Sequence, residues 1–217
     1  MCFHASNTKT AVQVEQFYPA TFKDKSAYTP NIHFSGFEYP KMPVITYQEQ
    51  DKIQLYNWGL IPNWSADNKI RQHTLNARYE TLQEKQSFKN IMTNRCLILA
   101  DGFYEWKWLD AKGKSKEQYY VTMPDKSLFA FAGLYDSWFD TLTQTTVNTF
   151  TIITTIANAF MAEIHNHGKR MPVILNKEQE SGWLDAHTAF YPDANIILTA
   201  SCINKKPNTN NEQYLLF

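Results

Sequence analysis

The chain has 217 residues, of which 43% are hydrophobic and 15% aromatic, so it can bury the core of one domain of moderate size. Its 21 basic and 21 acidic residues cancel, which excludes a nucleic-acid binder that relies on strong positive charge over the whole molecule. No apolar run approaches the ~18 residues that span a bilayer, and no signal-peptide pattern opens the chain. We therefore expect a cytoplasmic protein without membrane contact.

The first half of the chain predicts few regular elements. Residues 10–17 predict a short helix, and residues 19–45 predict irregular packed loops because they contain four prolines among aromatic residues. Residues 79–91 predict a helix, since Glu80 and Glu84 lie early and Lys89 lies late in this segment.

The second half predicts mainly strands. The expected strands are residues 96–100, 104–108, 119–123, 128–134 and 150–156, with a turn at Asp101-Gly102. Residues 157–164 predict a short helix, and Asn176 with Gln179 predicts the capped start of another. Strands outnumber helices and do not alternate with them, which favours an α+β fold built on a largely antiparallel sheet or barrel. We expect a single domain, residues 1–217, with a polar C-terminal tail from about residue 204.

Cysteine occupies the second position, next to the initiator methionine. Initiator methionine is normally trimmed before a small side chain, and trimming here would leave a terminal α-amine beside the Cys2 thiol. Such an amine and thiol titrate near pH 7.7–8.5 as isolated groups. Together they can convert an aldehyde first into an imine and then into a thiazolidine ring. Cys96 and Cys202 carry no such signal and are expected to be reduced core residues.

Three further polar residues lie beside the predicted elements. Asn76 precedes the helix expected at residue 79, Glu105 lies inside an aromatic strand, and His165 follows a short helix. Each also has a purely structural interpretation. Asn76 can cap or turn the chain, Glu105 can pair with an arginine such as Arg78 or Arg170, and the histidine can satisfy a loop.

A metal site is the remaining alternative for these polar residues. It would combine Cys2 and His4 with His165 and His167, but no ligand-spacing motif supports it. We therefore expect neither a metal nor another cofactor.

Seven segments, in this order, resemble the SOS response-associated peptidase (SRAP) family over most of the chain. They are Met1-Cys2; Trp58-Gly59-Leu60-Ile61-Pro62 with Trp64; Asn76-Ala77-Arg78 with Glu80-Thr81; Arg95-Cys96-Leu97; Asp101-Gly102-Phe103-Tyr104-Glu105-Trp106; Ile153-Thr154-Thr155 with Ala157-Asn158; and Ile164-His165 with Arg170-Met171-Pro172.

The resemblance implies a protein that links covalently to abasic sites in single-stranded DNA through Cys2. It implies that Asn76 orients the reactants, that Glu105 accepts the proton of the amine, and that His165 acts as a general acid. It further implies strand cleavage through the imine and a peptidase activity that removes residues masking Cys2. The implied DNA contacts are Arg78, Arg95, Trp64 and Thr154.

Two segments depart from the family pattern. The family begins Cys-Gly-Arg, whereas Phe3 and His4 follow Cys2 here, which removes one phosphate contact. The family histidine lies two residues before Arg-Met-Pro, whereas five positions separate His165 from Arg170 here. His165 rather than His167 is expected to act, because it directly follows the isoleucine that ends the helix.

Two other functions remain open at this point. One is a non-covalent single-stranded DNA-binding protein of the same fold. The other is a hydrolase that uses Cys2 as an N-terminal nucleophile on amides.

Overall fold

A computed structural model describes residues 2–186, 189–193 and 195–204. Its strands are β1 (His4–Asn7), β2 (Thr21–Phe22), β3 (Asn31–Ser35), β4 (Lys41–Thr46), β5 (Glu49–Trp58), β6 (Asn76–Arg78), β7 (Arg95–Ala100), β8 (Gly102–Trp108), β9 (Lys116–Thr122), β10 (Phe129–Asp140), β11 (Thr145–Ile156), β12 (Arg170–Pro172), β13 (Ile174–Leu175) and β14 (Thr199–Cys202). Its α-helices are α1 (Ala11–Phe17), α2 (Ala159–Ile164) and α3 (Lys177–Leu184).

The strands form two sheets. The smaller sheet has the order β14-β9-β8-β1-β3, and neighbouring strands in it are antiparallel. In the larger sheet, β11, β10, β7, β4 and β5 lie side by side, and a parallel pairing of β5 with β11 closes them into a five-stranded barrel. The expected α+β fold with an antiparallel sheet or barrel is confirmed.

Strand β7 is buried on both faces, which explains its uninterrupted apolar run. Cys96, Ile98 and Ala100 lie in the core that joins the barrel to the smaller sheet. Leu97 and Leu99 belong to a second core, which α1 and α3 cover. None of the helices in the described ranges is long and apolar enough to cross a membrane.

Most predicted elements are present. Helix α1 begins after Thr10, which forms a capping box with Gln13, and α3 begins after Asn176, which does the same with Gln179. The five predicted strands correspond to β7 to β11, and β10 and β11 extend to 12 residues each. Most of the expected C-terminal tail lies outside the described residues.

Two segments differ from the prediction. Residues 19–45 include β3 and most of β4 rather than loops alone, because pairing with β1, β5 and β7 outweighs the prolines. Residues 79–91 form single 3₁₀ turns at Tyr79–Thr81 and Lys89–Ile91 rather than a helix. The apolar side chains of this segment, Leu82, Phe88 and Ile91, are buried in the second core, and this packing overrides local helix propensity.

Asp101 fastens the N-terminal strand where the chain passes from β7 to β8. Its buried carboxylate accepts hydrogen bonds from the Ser6 hydroxyl at 2.7 Å, from the Thr8 amide at 2.9 Å and from the Thr8 hydroxyl. Its own amide donates to the Ser6 carbonyl at 3.0 Å. The aspartate therefore ties the end of β1 to the point where the chain passes from the larger sheet to the smaller one.

We expect Asp101→Ala to lower the free energy of unfolding by about 3 kcal/mol, because it leaves the buried Ser6 hydroxyl and two partly buried donors of Thr8 without their acceptor. Urea denaturation followed by circular dichroism measures this change. The matched control is Asp125→Ala, which removes exposed hydrogen bonding to Ser127 and should cost under ~0.5 kcal/mol. Equal losses for the two variants would contradict the role given to Asp101.

Candidate functional site

The register of β1 brings the start of the chain beside Glu105. His4 lies opposite Tyr104 and Ala5 opposite Phe103, so one further step along the ladder sets Phe3 opposite Glu105. On the other edge, the Gly36 amide donates to the Phe3 carbonyl at 2.8 Å. The Cys2 side chain is completely buried in the core between the two sheets.

Asn76 reaches the Cys2 main chain from the barrel side. It lies on β6, which pairs in parallel with β11, and the Trp58 indole donates to the neighbouring Leu75 carbonyl at 2.8 Å. The Asn76 Nδ2 donates to the Cys2 carbonyl oxygen at 2.8 Å. Its Oδ1 is buried and finds no hydrogen-bond partner within the described part of the chain. An acceptor is therefore available for a donor near Cys2.

Glu105 is the buried carboxylate of this site, with 2% of its surface exposed. Burial raises the pKa of this carboxyl above its ordinary range. Burial, together with the negative charge of Glu105, also raises the pKa of the Cys2 thiol well above its usual value. A thiol in this position is protonated at neutral pH and is a poor nucleophile until its surroundings change.

His165 faces Glu105 across a short gap. Its Nε2 lies 4.0 Å from the Glu105 Oε2. Its Nδ1 lies 2.9 Å from the Arg170 carbonyl oxygen and 3.1 Å from the Arg170 amide nitrogen, so either tautomer has a main-chain partner. Burial lowers the pKa of His165 to about 4, whereas burial raises the pKa of Glu105. In both cases removal from water disfavours the charged form.

His167 packs against a different residue. Its ring stacks on the Trp108 indole with centroids 3.7 Å apart and planes at 4°. Among the described residues, no cluster of histidine, cysteine and carboxylate side chains could hold a metal ion.

Arg170 pairs with Glu80 rather than with Glu105. Its two terminal nitrogens each donate to one Glu80 carboxylate oxygen at 2.9 Å. One of them also donates to the Thr154 carbonyl at 2.8 Å and lies 3.2 Å from the Thr154 hydroxyl. Thr154 is fully buried beneath this pair, so its placement does not support the expected direct contact with DNA.

A cavity of about 610 Å³ opens next to Asn76. Exposed basic side chains from two segments line it, Arg78 after Asn76 and Lys85 in the turn that follows. His73 and Phe88 contribute to the same wall. Arg78 is among the DNA contacts expected from the sequence, but Lys85 is not, because the helix predicted over residues 79–91 gives no reason to place that lysine beside the site.

The two other expected DNA contacts have different surroundings. The Arg95 guanidinium stacks over Trp183 at 4.7 Å and donates to the carbonyls of Trp183 and Asp185 at 3.2 and 3.1 Å. These contacts tie α3 to β7, and they do not support a role for Arg95 in holding a phosphate. Trp64 is 49% exposed, which leaves its face open to a stacking partner.

Comparisons with known proteins identify the family and the fold. A family model described as "SOS response associated peptidase (SRAP)" matches residues 1–207. Abasic site processing protein YoqW of Bacillus subtilis (strain 168) is 41% identical over 173 residues, which cover 79% of this chain and 74% of that protein. Abasic site processing protein YoaM of the same organism is 39% identical and covers 79% and 71%. A crystal structure of a protein from Bacteroides thetaiotaomicron superposes with a TM-score of 0.82 at 35% identity, covering 93% of this chain and 92% of that one.

The lowered pKa of His165 gives a pH dependence of stability. As the pH falls from about 6.5 to 4, the unfolded chain binds a proton at this histidine and the folded chain does not, so stability falls. We expect the His165→Gln variant to lack this part of the acid destabilisation, on the order of 2 kcal/mol. Denaturation of both proteins at pH 7.5 and pH 4.5 measures it. NMR should show the His165 ring titrating near pH 4, and titration near 6.5 would contradict the assignment.

Proposed function

The chain belongs to the SOS response associated peptidase family, and from this membership we propose that it processes abasic sites in single-stranded DNA by forming a covalent link through Cys2 after removal of Met1. The observation that carries the proposal is the convergence of Asn76, Glu105 and His165 on the N-terminal segment. The names of the relatives supply the substrate, DNA with abasic sites. The proposed location is the cytoplasm, at the nucleoid.

The proposed reaction has two covalent steps. An abasic sugar equilibrates with its open aldehyde, and the neutral α-amine of Cys2 attacks the aldehyde carbon to give a carbinolamine. Loss of water from the carbinolamine gives an imine. The Cys2 sulfur then adds to the imine carbon while the nitrogen takes up the thiol proton, which closes a thiazolidine. Ring closure is intramolecular, so proximity favours it strongly.

The buried groups fit an order in which the amine reacts before the thiol. Burial and the Glu105 charge hold the thiol protonated, whereas a free α-amine is partly neutral near pH 8. The buried Asn76 Oδ1 and the Glu105 carboxylate are acceptors for the N–H groups that trimming creates. A Met1-bearing chain presents an amide nitrogen at Cys2 and cannot form the imine.

Glu105 and His165 divide the proton transfers. We assign Glu105 the proton that leaves the attacking amine, because the raised pKa of this buried carboxylate makes it a better proton acceptor than an exposed one. Neutral His165 assists ring opening through its Nε2 and returns protons between intermediates. The proposal keeps the general-acid role that the family resemblance implies for His165, because a neutral imidazole still carries one N–H to donate.

The cavity beside Asn76 is the proposed path of the strand. Arg78 and Lys85 would neutralise phosphates, and the exposed face of Trp64 would stack on a base. A single strand suits this site because its bases are already unpaired. Strand cleavage through the imine and removal of residues that mask Cys2 are further activities included in the proposal.

Incubation with an oligonucleotide that carries one abasic site tests the proposal. We expect processed wild-type protein to give a shifted band that survives denaturation. Cys2→Ser keeps the amine, so it should form an imine that borohydride traps but no stable adduct without borohydride. Binding that is lost on denaturation would favour the non-covalent alternative. Peptide cleavage without any DNA adduct would favour the hydrolase.

A second measurement tests the path of the strand. Lys85→Glu and Arg78→Glu should each weaken binding to an undamaged single strand about tenfold, or roughly 1.4 kcal/mol. Each should also reduce the dependence of log K on log salt by about 0.7. Fluorescence anisotropy across a salt series gives both quantities. Lys126→Glu, on the exposed turn between β9 and β10, is the control, and an equal effect of that variant would refute the placement.

A further inference from the structure

The loop that carries His165 is fastened to the strand that carries Glu105. Asn166 directly follows His165, and its side-chain amide makes two hydrogen bonds with the main chain of Trp108. The Trp108 amide donates to the Asn166 Oδ1 at 2.9 Å, and the Asn166 Nδ2 donates to the Trp108 carbonyl at 2.8 Å. The Asn166 side chain thus makes the main-chain hydrogen bonds that a neighbouring strand would otherwise make at the end of β8.

His167 adds a second contact to the same residue. Its ring lies flat on the Trp108 indole, as described above, at van der Waals distance. The hairpin loop between β8 and β9 folds back towards the indole as well, so that a Cβ built at Gly113 would lie 2.8 Å from Trp108. The Trp108 ring is therefore a fixed platform rather than a mobile surface side chain.

The remainder of the loop closes tightly around the His165 ring. The Lys169 amide donates to the His165 carbonyl at 2.8 Å, and Lys169 adopts a left-handed conformation with φ of 47°. A Cβ built at Gly168 would lie 2.6 Å from the His165 Cε1. The ring has one position available, between Gly168 and the Arg170 main chain.

We propose that Asn166 and His167 are positioning residues, which lock His165 onto the Glu105 strand through Trp108. This inference rests on the proposed function for its effect on catalysis. Trp108 lies three residues after Glu105 on β8. The contacts of Asn166 and His167 with Trp108, here called the clamp, therefore set the separation between the imidazole and the carboxylate. The clamp also holds the ring in its partly buried position, and this burial lowers the pKa of His165.

The proposal is tested with Asn166→Ala, His167→Ala and His167→Phe. The first two should slow borohydride-trapped imine formation about tenfold, whereas the phenyl ring of His167→Phe should restore stacking and a nearly wild-type rate. In NMR titrations, the pKa of His165 should rise from about 4 towards 6.5 in the two alanine variants and stay low in His167→Phe. A merely structural role would lower the melting temperature without moving this pKa.

Asn148→Ala is the matched control, since it removes one side-chain bond, to the Ser137 hydroxyl, on the surface of the β10–β11 hairpin. It should change neither the rate nor the titration of His165. Slower imine formation in the alanine variants with an unmoved His165 pKa would overturn the proposal, as would unchanged rates. The titration needs no DNA, so it decides the clamp separately. Failure of the wild-type protein to form an imine would count against the proposed function alone.

Discussion

Strand β1 is hydrogen-bonded along both edges, to β3 and to β8, and Asp101 holds its far end. Chain ends usually fray because few contacts hold them. Here the terminal strand lies in the middle of a sheet, and its first buried side chain, Cys2, belongs to the core between the two sheets. Every other feature of the site depends on this arrangement, since Asn76, Glu105 and His165 could not act together on a mobile terminus.

The surroundings of the site favour neutral forms of its titratable groups. Glu105 and His165 are both removed from water, so the carboxyl holds its proton more tightly and the imidazole holds its proton less tightly than either does in solvent. The Glu80–Arg170 pair lies nearer the surface and keeps its charges, with two parallel hydrogen bonds. The side chain of Arg170 thus pairs with Glu80, while its main chain holds the His165 ring that faces Glu105.

The sequence was most informative where a reactive or ionisable residue occupies a position that is unusual for its type. A carboxylate between Tyr104 and Trp106, or a cysteine at position 2, is conspicuous in the sequence alone, and the structure brings both to one place. The sequence was least informative where long-range pairing decides the outcome. Strand β4 contains Pro43 and is nevertheless paired along both edges, and buried contacts of Phe88 and Ile91 replace the helix predicted over residues 79–91. Lys85 and Asn166 were missed because their neighbours come from distant parts of the chain.

The register of β1 has a consequence for how this protein can evolve. Successive side chains of a strand point to opposite faces, so a shift of one residue moves a side chain from the core to the other face. One residue inserted or deleted between Cys2 and His4 would turn Cys2 away from Asn76, whereas a substitution at Phe3 would keep the register. Between Cys2 and His4, the gene should therefore tolerate substitutions far more readily than insertions or deletions of whole codons.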